Sequence, residues 1–203
     1  MRAIREILHE ADKARAAGDR LAAAAGYEEA ARLAAEQGGA AQEREYLAQA
    51  AGLYAEAGCL HGVPSLLGGA SAAPCYAMLA ERARAAGDPE GCWRAWLRAA
   101  ECYAATTVSL YAETADEVYE VMGEMNGHVD SVRRAFEKAI AEAPGEAQRE
   151  SARRRAVDML SALAAQYREA AAGLTVQGED LGESYGAIFE QMARAFASGT
   201  EEP

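Results

Sequence analysis

Large anchoring side chains are scarce in this 203-residue chain, which has 2 Trp, 3 Phe and 9 Tyr, an aromatic share of 7%. Cysteine is scarce as well. The four cysteines, Cys59, Cys75, Cys92 and Cys102, include no Cys-x-x-Cys pair, so neither a disulfide framework nor a knuckle-type zinc site is expected. Histidine is limited to His9, His61 and His128, and there is no Gly-rich phosphate loop, nucleophile elbow or metal-ligand cluster. The expectation is a protein that is not an enzyme and needs no cofactor or metal. No apolar run approaches the roughly eighteen residues of a membrane span, and residues 1–6 turn amphipathic and acidic at once where a secretory leader would be apolar. A soluble, cytoplasmic protein is therefore expected. Basic residues are few beside acidic ones, 20 against 32, and the net charge of −12 repels nucleic-acid phosphates and anionic membrane surfaces. Neither is expected as a partner.

What the chain has in quantity is alanine, at about 52 residues, with Glu, Arg and Leu. These side chains lose little rotamer freedom in a helix, so the composition predicts an all-α fold and excludes an all-β or doubly wound α/β one. Hydrophobic periodicity and turn residues predict helices near 2–17, 20–36, 41–57, 75–86, 89–106, 110–125, 130–143, 146–172 and 180–198. Between Cys59 and Pro74, two of the five prolines, three glycines, Ser65 and Ser71 predict an irregular connector, set at 58–74.

Internal similarity organises these helices. Ala14-Arg15-Ala16-Ala17-Gly18-Asp19 recurs as Ala83-Arg84-Ala85-Ala86-Gly87-Asp88. From each turn glycine a small residue follows five positions on (Ala23, Cys92), an aromatic nine on (Tyr27, Trp96) and an alanine twelve on (Ala30, Ala99). Gly127 begins a third copy with Val132, Phe136, Ala139 and then Pro144, and Gly58 a weaker fourth with Val63, Leu67 and Ala70. Upstream, Ala11, Ala51 and Ala80 lie seven residues before their glycines, with Ile7, Leu47 and Tyr76 four residues earlier still. Small residues at fixed places let paired antiparallel helices approach closely, and one aromatic fills the gap between units.

On these residues the chain resembles the tetratricopeptide-repeat superfamily and its SNAP-like relatives with longer repeats. Gly127, Val132, Phe136, Ala139 and Pro144 are similar to the second-helix half of that consensus, whereas its first-helix Trp-x-x-Leu-Gly is absent. The resemblance implies an antiparallel helix-hairpin solenoid over residues 1–146, with capping or oligomerisation helices in 147–203. It also implies a protein-interaction scaffold that binds a peptide or helix along a groove lined by the first helix of each unit. By register those groove positions are Arg5, Leu8, Asp12 and Arg15, then Glu45, Ala48, Gly52 and Ala55, then Ala77, Glu81 and Arg84. The family's Lys/Asn/Arg clamp on a C-terminal carboxylate is disfavoured, because it needs asparagines and lysines and the chain has only Asn126, Lys13 and Lys138.

Other features point elsewhere. Arg133, Arg134, Arg149, Arg153, Arg154 and Arg155 crowd one stretch, and if helix packing gathers them they form an anion or acidic-peptide site; the bland alternative is pairing with Glu137, Glu142, Glu146 and Glu150. Trp93, Trp96, Tyr103, Tyr111 and Tyr119 form an aromatic stripe, either core or the lining of a small-molecule sensor pocket. Cys59, His61 and Cys75 would be the ligands of a helical metal protein, and Glu6 with His9 forms a single Glu-x-x-His where a di-iron site needs two. His128, next to Asn126-Gly127, reads as the turn entering a helix. Met159, Leu160, Leu163 and Tyr167 recur at helical spacing as core, and Ile188, Phe189, Met192 and Phe196 are too apolar for a lone surface helix, so 180–198 covers the end of the array or forms a homodimer face.

Overall fold

A computed structural model describes residues 4–58, 71–106, 115–170, 175–176 and 179–199. Among these residues there are eight helices: α1 (Ile4–Ala16), α2 (Arg20–Glu36), α3 (Ala40–Glu56), α4 (Ala72–Ala85), α5 (Pro89–Ala104), α6 (Ala115–Ala141), α7 (Glu146–Ala170) and α8 (Leu181–Ser198). A two-residue antiparallel ladder, β1 (Thr175–Val176) with β2 (Glu179–Asp180), precedes α8 and pairs Thr175 with Asp180 and Val176 with Glu179. The fold is all-α in class, and its contacts divide into two units, Met1–Cys102 and Tyr103–Pro203.

In the first unit each helix packs on the next, α1 on α2, α2 on α3 and α3 on α4. Three-residue connections, 17–19 and 37–39, make α1, α2 and α3 antiparallel neighbours. The recurring Ala-Ala-Gly-Asp segment has a physical meaning. Gly18 and Gly87 take the left-handed conformation (φ 83° and 70°), which lets the N–H groups of Asp19 and Asp88 bond back to the carbonyls of Ala14 and Ala83 at 3.0 Å. Each aspartate then caps the following helix, accepting from the N–H of Ala22 at 3.0 Å or Gly91 at 2.8 Å. Gly38 makes a third turn of the same hand (φ 75°), with the Gly39 N–H bonded to the Ala34 carbonyl at 2.8 Å.

Small residues bring the helices together as their spacing predicts. Ala11, Ala23, Ala30, Ala51, Ala80, Cys92 and Ala99 are all buried, as are Tyr27 and Trp96. At Gly26 an added Cβ would sit 2.7 Å from the Ala11 Cβ, so α1 and α2 approach closer than two side chains allow. Polar tethers cross the interfaces: the Tyr27 hydroxyl donates to Asp12, the Tyr54 hydroxyl to Glu28 at 2.8 Å, and Arg82 to the buried Glu43 at 2.6 Å.

The second unit corrects the sequence reading at one place. Gly127 is no turn, and His128 does not enter a new helix: Ala115–Ala141 is one continuous α6 where two helices, 110–125 and 130–143, were expected. Met125, His128, Val132, Ala135, Phe136 and Ala139 recur at three- and four-residue steps and are all buried, so a single face runs straight through the glycine. Gly123 and Gly127 lie on the exposed side, where their missing side chains leave no gap, and the Ser131 hydroxyl donates to the Gly127 carbonyl at 2.8 Å one turn back. With that hairpin gone, α6 belongs with α7 and α8, and the contacts divide the chain at Cys102/Tyr103.

Packing in this unit follows from matched stripes. On α7, Ala152, Ala156, Leu160, Leu163, Ala164 and Tyr167 are buried; on α8, Leu181, Tyr185, Phe189 and Ala193 are. Tyr167 stacks on Phe189 with ring centroids 5.4 Å apart. Helices α6 and α8 run in the same direction, because contacts pair Asn126 with Tyr185, His128 with Phe189 and Phe136 with Phe196. Helix α7 returns antiparallel between them. Gly186 permits the α7–α8 contact, since a Cβ there would meet the Arg168 side chain at 2.8 Å and the Ala164 carbonyl oxygen at 3.1 Å. Arg168 bridges the two helices to Glu183 at 3.1 Å and to Glu190, and its hydrogen bond holds the Glu190 carboxyl below the usual carboxylate range.

Candidate functional site

Helix α8 has more apolar face than its core uses. The buried stripe of Tyr185, Phe189 and Ala193 is accompanied, one position earlier on each turn, by Ile188 and Met192, with Phe196 one turn further on. One residue is about 100° of helical rotation, so this second stripe points to the side of the core, toward the C-terminal half of α6. Ile188 is 37% exposed and Met192 and Phe196 are half-buried. The result is an open groove of about 1010 Å³. Helix α6 contributes Val129, Asp130, Arg133, Glu137, Lys138, Ile140 and Ala141; the first turns of α7 contribute Arg149 and Arg153; α8 contributes Ile188, Gln191, Met192, Ala195, Phe196 and Gly199. Phe196 is fixed edge-on against the buried Phe136, with ring centroids 6.1 Å apart, and gives the groove a rigid floor.

The groove's polar rim is mainly cationic. Arg133 is held by Asp130 at 2.5 Å and Arg149 by Glu146 at 2.5 Å; Arg153 reaches Glu146 at 3.5 Å and Glu150 at 3.9 Å. These pairs lie within single helices. Arg153 also lies where α8 ends, near the left-handed Gly199, where carbonyl dipoles favour a cation. Each guanidinium has five N–H donors, and one or two carboxylate contacts leave several of them for a ligand.

Of the clustered arginines expected to form an anion site, the structure brings Arg133, Arg149 and Arg153 to this groove. Arg134, paired with Asp130 at 3.6 Å, and the exposed Arg154 are outside its lining. Lys138, Ile140 and Val129 were not singled out by sequence. The four apolar residues of α8 part company: Phe189 is core, and Ile188, Met192 and Phe196 line the groove.

The groove positions implied for the first unit lie on α1, α3 and α4. Leu8 packs with Ile4 and Tyr46 on the Ile7–Ala30–Leu33 cluster, Asp12 accepts from Tyr27, Arg15 donates to Gln49 at 3.2 Å, and Glu81 pairs with Arg84 at 2.5 Å. Arg5, Glu45 and Ala48 are exposed; Gly52, Ala55 and Ala77 are half-buried. Most of the polar members are thus engaged with their own chain.

The remaining candidates separate. Trp96 belongs to the first unit's core, Trp93 and Tyr103 are half-buried, Tyr119 is 63% exposed, and Tyr111 lies outside the described residues. Cys59 and His61 also lie outside them. Cys75 is buried, and burial, reinforced by the charge of Glu28, pushes its thiol up to about 12, which disfavours the thiolate that a metal needs. Among the described residues no group of three His, Cys, Asp or Glu is placed to hold a metal, and no helix is long and apolar enough to cross a membrane.

No protein-family model and no curated protein matches the chain. Among solved structures, a de novo designed helical repeat protein superposes with a TM-score of 0.42 at 20% sequence identity, over 97% of this chain and 93% of that one.

Proposed function

We propose that this protein is a non-enzymatic interaction scaffold whose α6–α7–α8 groove receives a segment of a partner protein. The observation that carries this function is the second apolar stripe of α8, Ile188, Met192 and Phe196, only partly covered among the described residues and set beside a rim of arginines. A surface that held only structure would bury these residues or replace them with polar ones. Protein-interaction sites combine such an apolar centre with a polar rim and are enriched in Met, aromatic residues and Arg. We favour this groove over the face of α1, α3 and α4, where Asp12, Arg15, Glu81 and Arg84 are engaged with their own chain. A cytoplasmic setting is part of the proposal, supported by Cys75, Cys92 and Cys102, which are buried as thiols and not joined in disulfides.

Selection of a displayed random-peptide library on the full chain tests the function. Enriched peptides are expected to lose about tenfold or more in affinity against a Met192→Glu variant, since a charge at the centre of an apolar groove is not compensated. Enrichment of no peptide, or of peptides indifferent to that substitution, would refute it.

A further inference from the structure

The scaffold function leaves the chemistry of the partner open, and the groove narrows it. We infer that its occupant is an amphipathic helix of a partner protein that carries apolar anchors on one face and carboxylates along the flank facing Arg133, Arg149 and Arg153; this rests on the function proposed above.

Two observations define the occupant. The first is the shape of the apolar surface. Ile188, Met192 and Phe196 form a ridge at four-residue steps, about 12 Å long at 1.5 Å per residue, beside the parallel helix α6. Ridges of this spacing accept the ridge of another helix between them. The walls are helical, so their backbone groups are bonded internally and offer no edge to an extended peptide, which would enter with its own backbone unpaired. A helix brings its backbone already satisfied.

The second observation is charge. Of the charged side chains that line the groove, Arg133, Lys138, Arg149 and Arg153 are cations and Asp130 and Glu137 are acids, so the lining itself is cationic on a chain of net −12, with Glu146 and Glu150 outside it pairing with Arg149 and Arg153. The arginines are held by carboxylates of their own helices, and Glu146 is 71% exposed. Exposed pairs of that kind are weak and exchange readily, so an incoming carboxylate can share or replace Glu146 on Arg149 and Arg153 without leaving a buried charge behind. A second copy of this chain fits less well. In a two-fold pairing the same patch faces itself, which sets cationic rim against cationic rim and adds −12 to −12.

The test uses the full-length protein and three fluorescein-labelled helical peptides of about five turns, identical in a Leu/Ala apolar face and differing in a flank of Glu, Gln or Lys. Fluorescence anisotropy is expected to rank them Glu, Gln, Lys, with the Glu peptide about tenfold tighter than the Lys peptide at low salt. That ratio should shrink to about threefold or less at 0.5 M salt, where the screening length falls to about 4 Å. Arg149→Glu combined with Arg153→Glu is expected to invert the order, and Met192→Glu or Ile188→Lys to weaken all three peptides, with circular dichroism melts confirming that each variant folds. Equal binding of the three peptides that Met192→Glu abolishes overturns the acidic partner and leaves the groove as an interaction site. Binding of none, or binding that survives both apolar substitutions, overturns the scaffold function itself. A wild-type dimer in sedimentation that Met192→Glu dissociates identifies a second copy as the occupant and overturns the acidic helix.

Discussion

Gly127 offers a decisive test, because the same substitution has opposite signs in the two structures that the sequence allows. If Gly127 ended a helix as Gly18 and Gly87 do, it would hold a left-handed backbone, and Gly127→Ala would cost about 1–2 kcal/mol for the Cβ–carbonyl clash. In the continuous α6 it is not among the positive-φ glycines, it lies on the exposed side, and an added Cβ meets nothing within 4 Å. Alanine there removes the entropy penalty of glycine in a helix interior, a gain of about 0.8–1 kcal/mol. Gly123 shares the same exposure and open space, so Gly123→Ala combined with Gly127→Ala is expected to add about 1.5–2 kcal/mol, each removing one glycine from the helix interior. Thermal melts followed by circular dichroism should rise by about 2–4 °C for the single substitution, the usual shift per kcal/mol in a chain of this size. Gly87→Ala, at φ 70°, is the control of opposite sign and should lower the midpoint by a similar amount. A lower midpoint for Gly127→Ala would refute the continuous helix and restore the repeat turn.

Three further experiments probe the packing. Gly26→Ala should destabilise by about 1–3 kcal/mol in urea denaturation, because its methyl would lie 2.7 Å from the Ala11 Cβ and force α1 from α2; adding Ala11→Gly should recover part of the loss. Arg82→Ala strips the buried Glu43 of its partner, and with Arg82 itself 48% exposed the cost should be about 1–3 kcal/mol, partly restored by Glu43→Gln, which needs no counter-charge. Alkaline stability should reveal the buried thiols, since burial pushes Cys75 up to about 12 and Cys102 up to about 11 from an ordinary 9.0. The folded values lie above the unfolded one, so the stabilisation is whole below pH 9 and is lost as the pH rises from 9 through the folded values, by about 2 kcal/mol per thiol between pH 8 and 10.5. A Cys75→Ala, Cys102→Ala double variant should decline less steeply over that interval; equal slopes would show that neither thiol is held protonated.

Composition and turn chemistry made the helices legible. Gly18-Asp19 and Gly87-Asp88 carry the whole instruction for a boundary, a left-handed stop followed by a carboxylate cap; the turns stand where the repeated segment put them, and the caps are what the structure adds. The small-residue and aromatic grid was legible in a more limited sense. Val132, Phe136 and Ala139 are as buried as Ala23, Tyr27 and Ala30, yet no turn precedes them. The grid encodes the buried face of a helix, which recurs at the same spacing whether the helix begins at the glycine or passes through it. A glycine becomes a turn only when the chain beyond it must change direction. At Gly127 the continuous face of Met125, His128 and Val132 outweighs the roughly 1 kcal/mol by which glycine disfavours a helix.

The groove was half legible for a related reason. Arginine clustering and the excess apolar surface of 180–198 are local properties, and each showed separately in the sequence. Their meeting depends on direction: α8 runs parallel to α6, which sets Phe196 beside Phe136 and brings the end of α8 to Arg153 at the start of α7. Had 115–141 been two helices joined by a turn, its second half would have run the other way, and Arg133 would lie at the opposite end from Ile188. The long helix that breaks the repeat register is therefore what assembles the groove. Its integrity and the groove's binding should be coupled: Gly127→Pro, which removes the N–H to the carbonyl one turn back and kinks α6 just before Val129, is expected to weaken the Glu-flanked peptide about tenfold or more, whereas Gly127→Ala leaves it unchanged. Loss of binding in both variants would mean that Gly127 itself contacts the partner, and loss in neither would place the binding surface away from α6.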